Sequence, residues 1–123
     1  MSQPEPLTLP GVMWQVTLTL HGVPQQAEVL VEQLQALEFA HGIGLSARFQ
    51  PEMVELRYWD EGHDCRRVAD NALNLWELHR AEIDLPNWVV VGVEIVDRGT
   101  FQRRWPDGHP QAGLFTPGVA PLT

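Results

Sequence analysis

The stretch MWQVTLTLH, residues 13–21, decides the fold because it is an unbroken run of alternating apolar and polar side chains. The apolar members are Trp14, Val16, Leu18 and Leu20, and the polar members are Gln15, Thr17, Thr19 and His21. Since successive side chains of a β-strand lie on opposite faces, this pattern predicts a strand with one face in the core and the other toward solvent. Gly22 ends the strand.

The chain that follows this strand alternates between helical and strand patterns. Apolar residues recur every three or four positions over about residues 24–40, and again over about residues 64–83, so both segments are predicted to be amphipathic helices. Between them, residues 45–50 and 53–59 are two alternating runs joined by a short turn, which predicts a β-hairpin. Residues 88–96 are almost continuously apolar and predict a last strand that is buried on one face and partly covered on the other.

The predicted element order is therefore β-α-β-β-α-β. With short connections and right-handed crossovers, this order favours a ferredoxin-like two-layer sandwich of the α+β class. We expect a four-stranded antiparallel sheet in the order 4-1-3-2, with residues 13–21 and 53–59 as its central strands and two helices on one face. Three segments follow from this fold: a loose N-terminal arm of residues 1–11, the domain itself at residues 12–98, and a tail of residues 99–123 rich in proline and glycine.

Composition excludes several classes of protein. The chain has 123 residues, and 16 acidic residues against eight basic ones give a net charge of -8. An excess of negative charge repels a phosphate backbone, so we expect no binding to nucleic acid. No apolar run reaches the roughly 18 to 20 residues of a membrane span, and the first residues lack the features of a secretory signal. A single cysteine also fits a reducing compartment, so we expect a cytoplasmic protein with no bound cofactor.

Four side chains that could bind a metal or act as a nucleophile are predicted to meet at one end of the sandwich: His41, Asp60, His63 and Cys65. These side-chain types suit zinc, and a cysteine beside two arginines favours its thiolate form. The spacing matches no metal motif, however, because His63 and Cys65 would point to different sides of a helix. The structural interpretation is that Asp60 or Asp64 caps the second helix and Cys65 begins its buried stripe. We favour this interpretation and predict no metal.

The second candidate surface is the sheet face that the helices leave open. We assign to it Arg48, Arg57, Trp59, Val90 and Glu94 on the strands, with Phe101 and Trp105 in the tail. A large aromatic and a valine among polar residues need a covering partner, which is either a second copy of the chain or the tail folded back. One aromatic is too few for a nucleic-acid stacking surface. Three arginines close together, Arg98, Arg103 and Arg104, could bind an anionic ligand or pair with neighbouring carboxylates.

These observations predict an interaction module or small-ligand-binding module without enzymatic activity. We expect it to form a homodimer through the open sheet face, with a protein or a small anion as the possible partner. The alternative is a small enzyme or a metal- or thiol-dependent protein that uses His41, Asp60, His63 and Cys65.

Overall fold

A computed structural model describes residues 12–42, 44–106 and 116–122 of the chain. In these residues the strands are β1 (Val12–His21), β2 (Ser46–Gln50), β3 (Met53–Gly62), β4 (Val89–Asp97) and β5 (Gly118–Pro121). The helices are α1 (Ala27–His41), α2 (Cys65–Arg80) and α3 (Arg98–Arg104). The α+β content that the sequence predicts is confirmed. The predicted N-terminal arm, and residues 107–115 and 123 of the predicted tail, lie outside the described residues.

The strands form one sheet in the order β4-β1-β3-β2-β5. β1 lies in the interior and pairs antiparallel with β3 along its whole length, from Val12 opposite Gly62 to His21 opposite Met53. β1 also pairs antiparallel with β4, and β2 pairs antiparallel with β3. β5 pairs parallel with β2, with Ser46 opposite Gly118. The sheet is therefore mixed.

The predicted fold was wrong in three respects: the described residues contain five strands, one parallel pair and a third helix. Both additional elements come from the segment predicted to be a tail. α3 has seven residues and β5 has four, so neither is long enough to show a periodic pattern. In addition, β5 pairs with a strand about 70 residues away, and a local pattern contains no information on such a contact.

The core lies between the sheet and the two longer helices. β1 contributes Val16, Leu18 and Leu20, all fully buried, so the predicted core face of this strand is confirmed, whereas Gln15, which was predicted to face solvent, is buried as well. Each helix contributes one stripe: Leu30, Leu34 and Leu37 from α1, and Val68, Ala72, Leu75 and Trp76 from α2. No helix among the described residues is long and apolar enough to cross a membrane.

Two stacked indoles connect three parts of the chain: α2, the segment before β4 and the loop after β1. The rings of Trp76 and Trp88 lie 6.2 Å apart and are almost parallel. Trp76 donates its indole N–H to the Pro86 carbonyl, and Trp88 donates to the Val23 carbonyl, each at 2.9 Å. A methyl group at Gly22 would overlap the ring of Trp88. The glycine that ends β1 therefore also makes room for this ring.

A β-bulge changes which side chains β4 presents on each face. Thr19 pairs with Gly92 but Leu20 pairs with Val90, so Val91 is an extra residue on β4. Because Leu20 faces the core, its partner Val90 also lies on the helix side, where it packs against the core. The placement of Val90 on the open face was thus wrong. Simple alternation cannot detect the inserted residue.

Candidate functional site

α3 folds back over the face of the sheet that is turned away from α1 and α2, which we call the outer face. Between α3 and this face lies a cavity of about 410 Å³ lined by Met13, Trp59, Arg98, Phe101 and Gln102. We call it the sheet cleft. Two of its side chains come from neighbouring strands and three from α3.

The short helix that closes the sheet cleft is fixed at both ends. At its start, Asp97 is the N-cap, and its carboxylate accepts a hydrogen bond from the Thr100 backbone N–H at 2.7 Å. Hydrogen bonds from the Thr100 hydroxyl and from this N–H hold the pKa of Asp97 below its usual range. At its end, the Arg104 guanidinium lies 3.1 Å from the carboxylate of Glu94 on β4. The wall formed by α3 is therefore held in place by local contacts.

An aromatic pair forms the apolar part of the sheet cleft. The rings of Trp59 on β3 and Phe101 on α3 lie 5.2 Å apart at 81°, an edge-to-face arrangement. Although Phe101 covers part of it, Trp59 keeps 41% of its surface exposed. Met13 adds a flexible apolar side chain beside them. The cleft thus offers an indole surface that α3 shields incompletely.

The polar groups of the cleft are a guanidinium and an amide. Within residues 12–42, 44–106 and 116–122, the side chain of Arg98 makes no hydrogen bond or ion pair. By contrast, Arg103 donates to the Thr100 hydroxyl and Arg104 pairs with Glu94. Arg98 is therefore the member of the arginine group whose charge is available to a ligand.

A buried amide lies next to the cleft. Gln15 stands directly opposite Trp59 in the pairing of β1 with β3, and only 5% of it is exposed. Its side-chain oxygen has no hydrogen-bond partner in the described part of the chain. A buried amide oxygen without a donor is unfavourable, so this atom is a second polar feature that a ligand reaching past Trp59 could satisfy.

Most other residues that the sequence assigned to the open face bind the chain itself. Arg48 is 8% exposed and donates to the carbonyls of Gly118 at 2.7 Å and Thr116 at 2.9 Å. Arg57 pairs with Glu55 at 2.8 Å. Glu94 holds Arg104, and Trp105 follows α3 as its C-cap, donating its backbone N–H to the Phe101 carbonyl. Of the predicted surface, Trp59 and Phe101 are the residues that meet in the cleft.

The other predicted cluster is only partly assembled. Asp64 is the N-cap of α2, as one structural interpretation held, and accepts a hydrogen bond from the Arg67 N–H at 2.8 Å. Cys65 is exposed, so the expectation that it begins the buried stripe was wrong. No contact among the described residues joins His63 or Cys65 to His41. In the part of the chain that the structure describes, no three His, Cys, Asp or Glu side chains are arranged to hold a metal ion.

His41 instead belongs to a group that the sequence did not bring together. Its ring lies 4.7 Å from that of Tyr58 and 6.5 Å from that of His79, near the C-terminal ends of α1 and α2. Burial lowers the pKa of His41, the neighbouring His79 lowers it further, and Asp60 opposes both effects. Burial, aided by Asp60, raises the pKa of Tyr58 above its usual range. The sequence could not show this because the three rings come from separate elements.

Sequence reasoning also missed Met13 and Gln102, two of the cleft residues. One signal was present for the helix that carries Gln102: Asp97 is a good N-cap residue before a short run without proline.

The fold and the cleft define a small α+β domain with a partly covered sheet. The profile of one protein family, Domain of unknown function (DUF8830), matches residues 13–112, and the chain belongs to this family. All five residues that line the sheet cleft fall within this match, whereas β5 lies beyond it. No curated protein and no solved structure matches the chain.

Proposed function

We propose that this protein is a small-ligand-binding module whose sheet cleft takes a small anion with an apolar body, such as an aromatic carboxylate. The observation that carries the proposal is the Arg98 guanidinium, which is unpaired among the described residues and lies at an aromatic cleft of an acidic chain. Two further features support it: the size and lining of the cleft, which suit the apolar body, and the buried oxygen of Gln15 beside it.

The size and lining of the cleft suit the apolar body. A volume of about 410 Å³ falls within the range of roughly 300–1,000 Å³ that ligand pockets occupy. A flat ring placed against Trp59 and Phe101 would extend an edge-to-face arrangement that already exists. Aromatic and thioether side chains also adapt to ligands of different outline.

The anionic group of the ligand is assigned to Arg98. A guanidinium presents parallel N–H groups that match the two oxygens of a carboxylate. Because the chain carries a net charge of -8, its long-range field does not attract anions, so recognition depends on this short-range contact. The Gln15 oxygen, which has no partner among the described residues and lies on the strand opposite Trp59, offers an acceptor to a hydroxyl or N–H of a ligand that extends beyond the cleft lining.

The proposal is for binding without turnover. The five side chains of the cleft include no serine, cysteine, histidine or carboxylate that could act as a nucleophile or a base. The alternative of thiol or metal chemistry at His41, Asp60, His63 and Cys65 has less support: Asp60 lies close enough to His41 to act on its pKa, but neither His63 nor Cys65 contacts His41.

Titration of the full chain with phenylacetate and with its uncharged amide, followed by amide chemical shifts, tests the proposal. We expect the acid to perturb β1, β3 and α3 around the cleft, and Arg98→Gln to weaken its binding at least about tenfold, as loss of a charged hydrogen bond implies. The amide should be much less sensitive to this substitution. Arg80→Gln is the matched control, since Arg80 pairs with Glu77 on α2. Perturbations confined to other surfaces, or equal losses in both variants, would reject the cleft as the site.

A further inference from the structure

The helix that covers the sheet cleft buries none of its own residues. α3 contacts β1 and β4, yet each of its seven residues keeps part of its surface exposed. Two of the seven, Gly99 and Thr100, are poor helix formers. A helix of this length is not stable by itself in water. Its contacts with the sheet therefore decide whether α3 stays in place.

The contacts that hold α3 belong to classes that are individually weak. Its N-cap is a single hydrogen bond to the Asp97 carboxylate. The ion pair between Arg104 and Glu94 has side chains that are 51% and 57% exposed, so water and salt screen it. The remaining contact is the edge-to-face pair of Phe101 with Trp59. Segments with few buried apolar contacts open locally while the rest of a protein stays folded, and α3 fits this description.

Two residues of the outer face are buried, although α1 and α2 lie on the other side of the sheet. Gln15 on β1 is 5% exposed, and its partner Val96 on β4 is 8% exposed. α3 contacts both strands and so covers the pair. Because the Gln15 side-chain oxygen has no hydrogen-bond partner in the described part of the chain, the closed position of α3 keeps it from water. Movement of α3 away from the sheet removes this unfavourable feature.

We propose that α3 is a lid, which detaches from the outer face while the rest of the domain stays folded. Opening uncovers Gln15 and Val96 and extends the sheet cleft along β1 and β4. The effect of a ligand on the lid rests on the function proposed above: a ligand bound by Arg98 on α3 and by Trp59 on β3 touches both walls of the cleft. Since it makes both contacts only in the closed position, the ligand holds the lid closed.

Hydrogen exchange of the full chain, followed by NMR, tests the lid. The reporter is the backbone amide of Trp105, which donates to the Phe101 carbonyl at 3.1 Å and exchanges when α3 opens. Amides of β1 exchange when the whole domain unfolds. We expect the Trp105 amide to be protected at least about tenfold less than the amides of β1. Its exchange should also depend little on low concentrations of urea, because opening of α3 exposes little surface.

Two N-cap substitutions distinguish a lid from a helix that unfolds only with the domain. Asp97→Ala removes the cap of α3, and Asp64→Ala removes the cap of α2; each carboxylate accepts from the backbone N–H three residues further on. Loss of a cap should speed exchange about fivefold in the unit that opens. We expect Asp97→Ala to speed exchange at Trp105. Asp64→Ala is the matched control, which should speed exchange in β1 and leave Trp105 unchanged.

Phenylacetate tests the effect of a ligand on the lid. At about ten times its dissociation constant it should slow exchange at Trp105 about tenfold, because α3 opens only after the contact with Arg98 is lost.

The outcomes separate the lid from the ligand site. Equal protection at Trp105 and in β1, or an Asp64→Ala variant in which both exchange faster to the same extent, would reject the lid. Bound phenylacetate that leaves the exchange at Trp105 unchanged would reject the closing effect of the ligand. Independent opening of α3 in a chain that binds no phenylacetate would support the lid and reject the proposed function, so the two failures are distinct results.

Discussion

Arg48 is expected to hold β5 on the sheet. Replacing Arg48 with methionine should therefore make β5 detach before the rest of the sheet unfolds. The substitution keeps an unbranched apolar side chain of similar reach but removes the guanidinium, which bonds to the carbonyls of Gly118 and Thr116. A net hydrogen bond to a charged group contributes about 1.5–3 kcal/mol. Because residues 116–118 are partly exposed, water replaces some of what is lost, so we discount the total for the two bonds to about 2–4 kcal/mol.

The corresponding fall in melting temperature is about 8–16 °C, at about 4 °C per kcal/mol for a domain of this size. Calorimetry measures it, and hydrogen exchange shows where the loss occurs. The amides to follow are those of Gly118 and Leu122, which bond to the carbonyls of Leu45 and Phe49. They should lose protection before the amides of β1.

The control for this prediction is Arg80→Met, since Arg80 makes an exposed ion pair with Glu77 on α2. Exposed pairs of this kind contribute about 0–1 kcal/mol, so the melting temperature should hardly change. If Arg48→Met also changed stability by less than about 0.5 kcal/mol, or if protection fell equally throughout the sheet, the assigned role of Arg48 would be wrong.

Three further substitutions test separate parts of the fold. Gly22→Ala should destabilise the protein by about 1–3 kcal/mol in urea unfolding, because the added methyl group overlaps Trp88. Burial lowers the pKa of His41, so below about pH 6.5 the unfolded chain binds more protons than the folded chain at this residue. The free energy of unfolding should therefore decrease as pH falls from 6.5 toward the folded pKa and then level off, and His41→Gln should reduce this dependence. Phe101→Ala should expose Trp59 and shift its fluorescence to longer wavelength.

Each of these predictions has its own reference measurement. Gly92→Ala is the control for Gly22, because a methyl group there meets Thr19 at an ordinary 3.6 Å. Unfolding at pH 7.5 and pH 5 gives the histidine effect, and an unchanged slope in His41→Gln would exclude His41 as its source. The chain contains five tryptophans, so the fluorescence change should be repeated in Trp59→Phe. A shift that survives this second substitution would come from another indole.

Part of the candidate site could be predicted from the sequence. Trp59 and Phe101 were assigned to one surface because an aromatic side chain on a polar strand face and another in the following segment each suggest a covering partner. Arg48 was assigned to the same surface, and its face was right, but its hydrogen bonds go to the chain itself. Arg48 binds the chain because Thr116 and Gly118, about 70 residues away in the sequence, lie beside it in the fold. A local pattern cannot show this contact.

Errors arose where local pattern and long-range contact disagree. One extra residue in β4 reverses the face of Val90, and no alternation rule reveals where a bulge occurs. Cys65 has the right spacing for the buried stripe of α2, yet it begins the helix at the end of the sandwich and is exposed. The meeting of His41, Tyr58 and His79 requires the helix ends to come together, which is a property of packing.

By itself, the sequence determined β1 to β4, α1 and α2, because the periods of two and 3.6 residues separate the apolar from the polar side of each element. Tertiary structure decided the rest: the parallel pairing of β5 with β2, the placement of α3 over Trp59, and the cleft that this placement creates. The physical reason is length. Segments of four and seven residues are too short to be stable alone, and they become ordered through contacts with a sheet that the rest of the chain supplies.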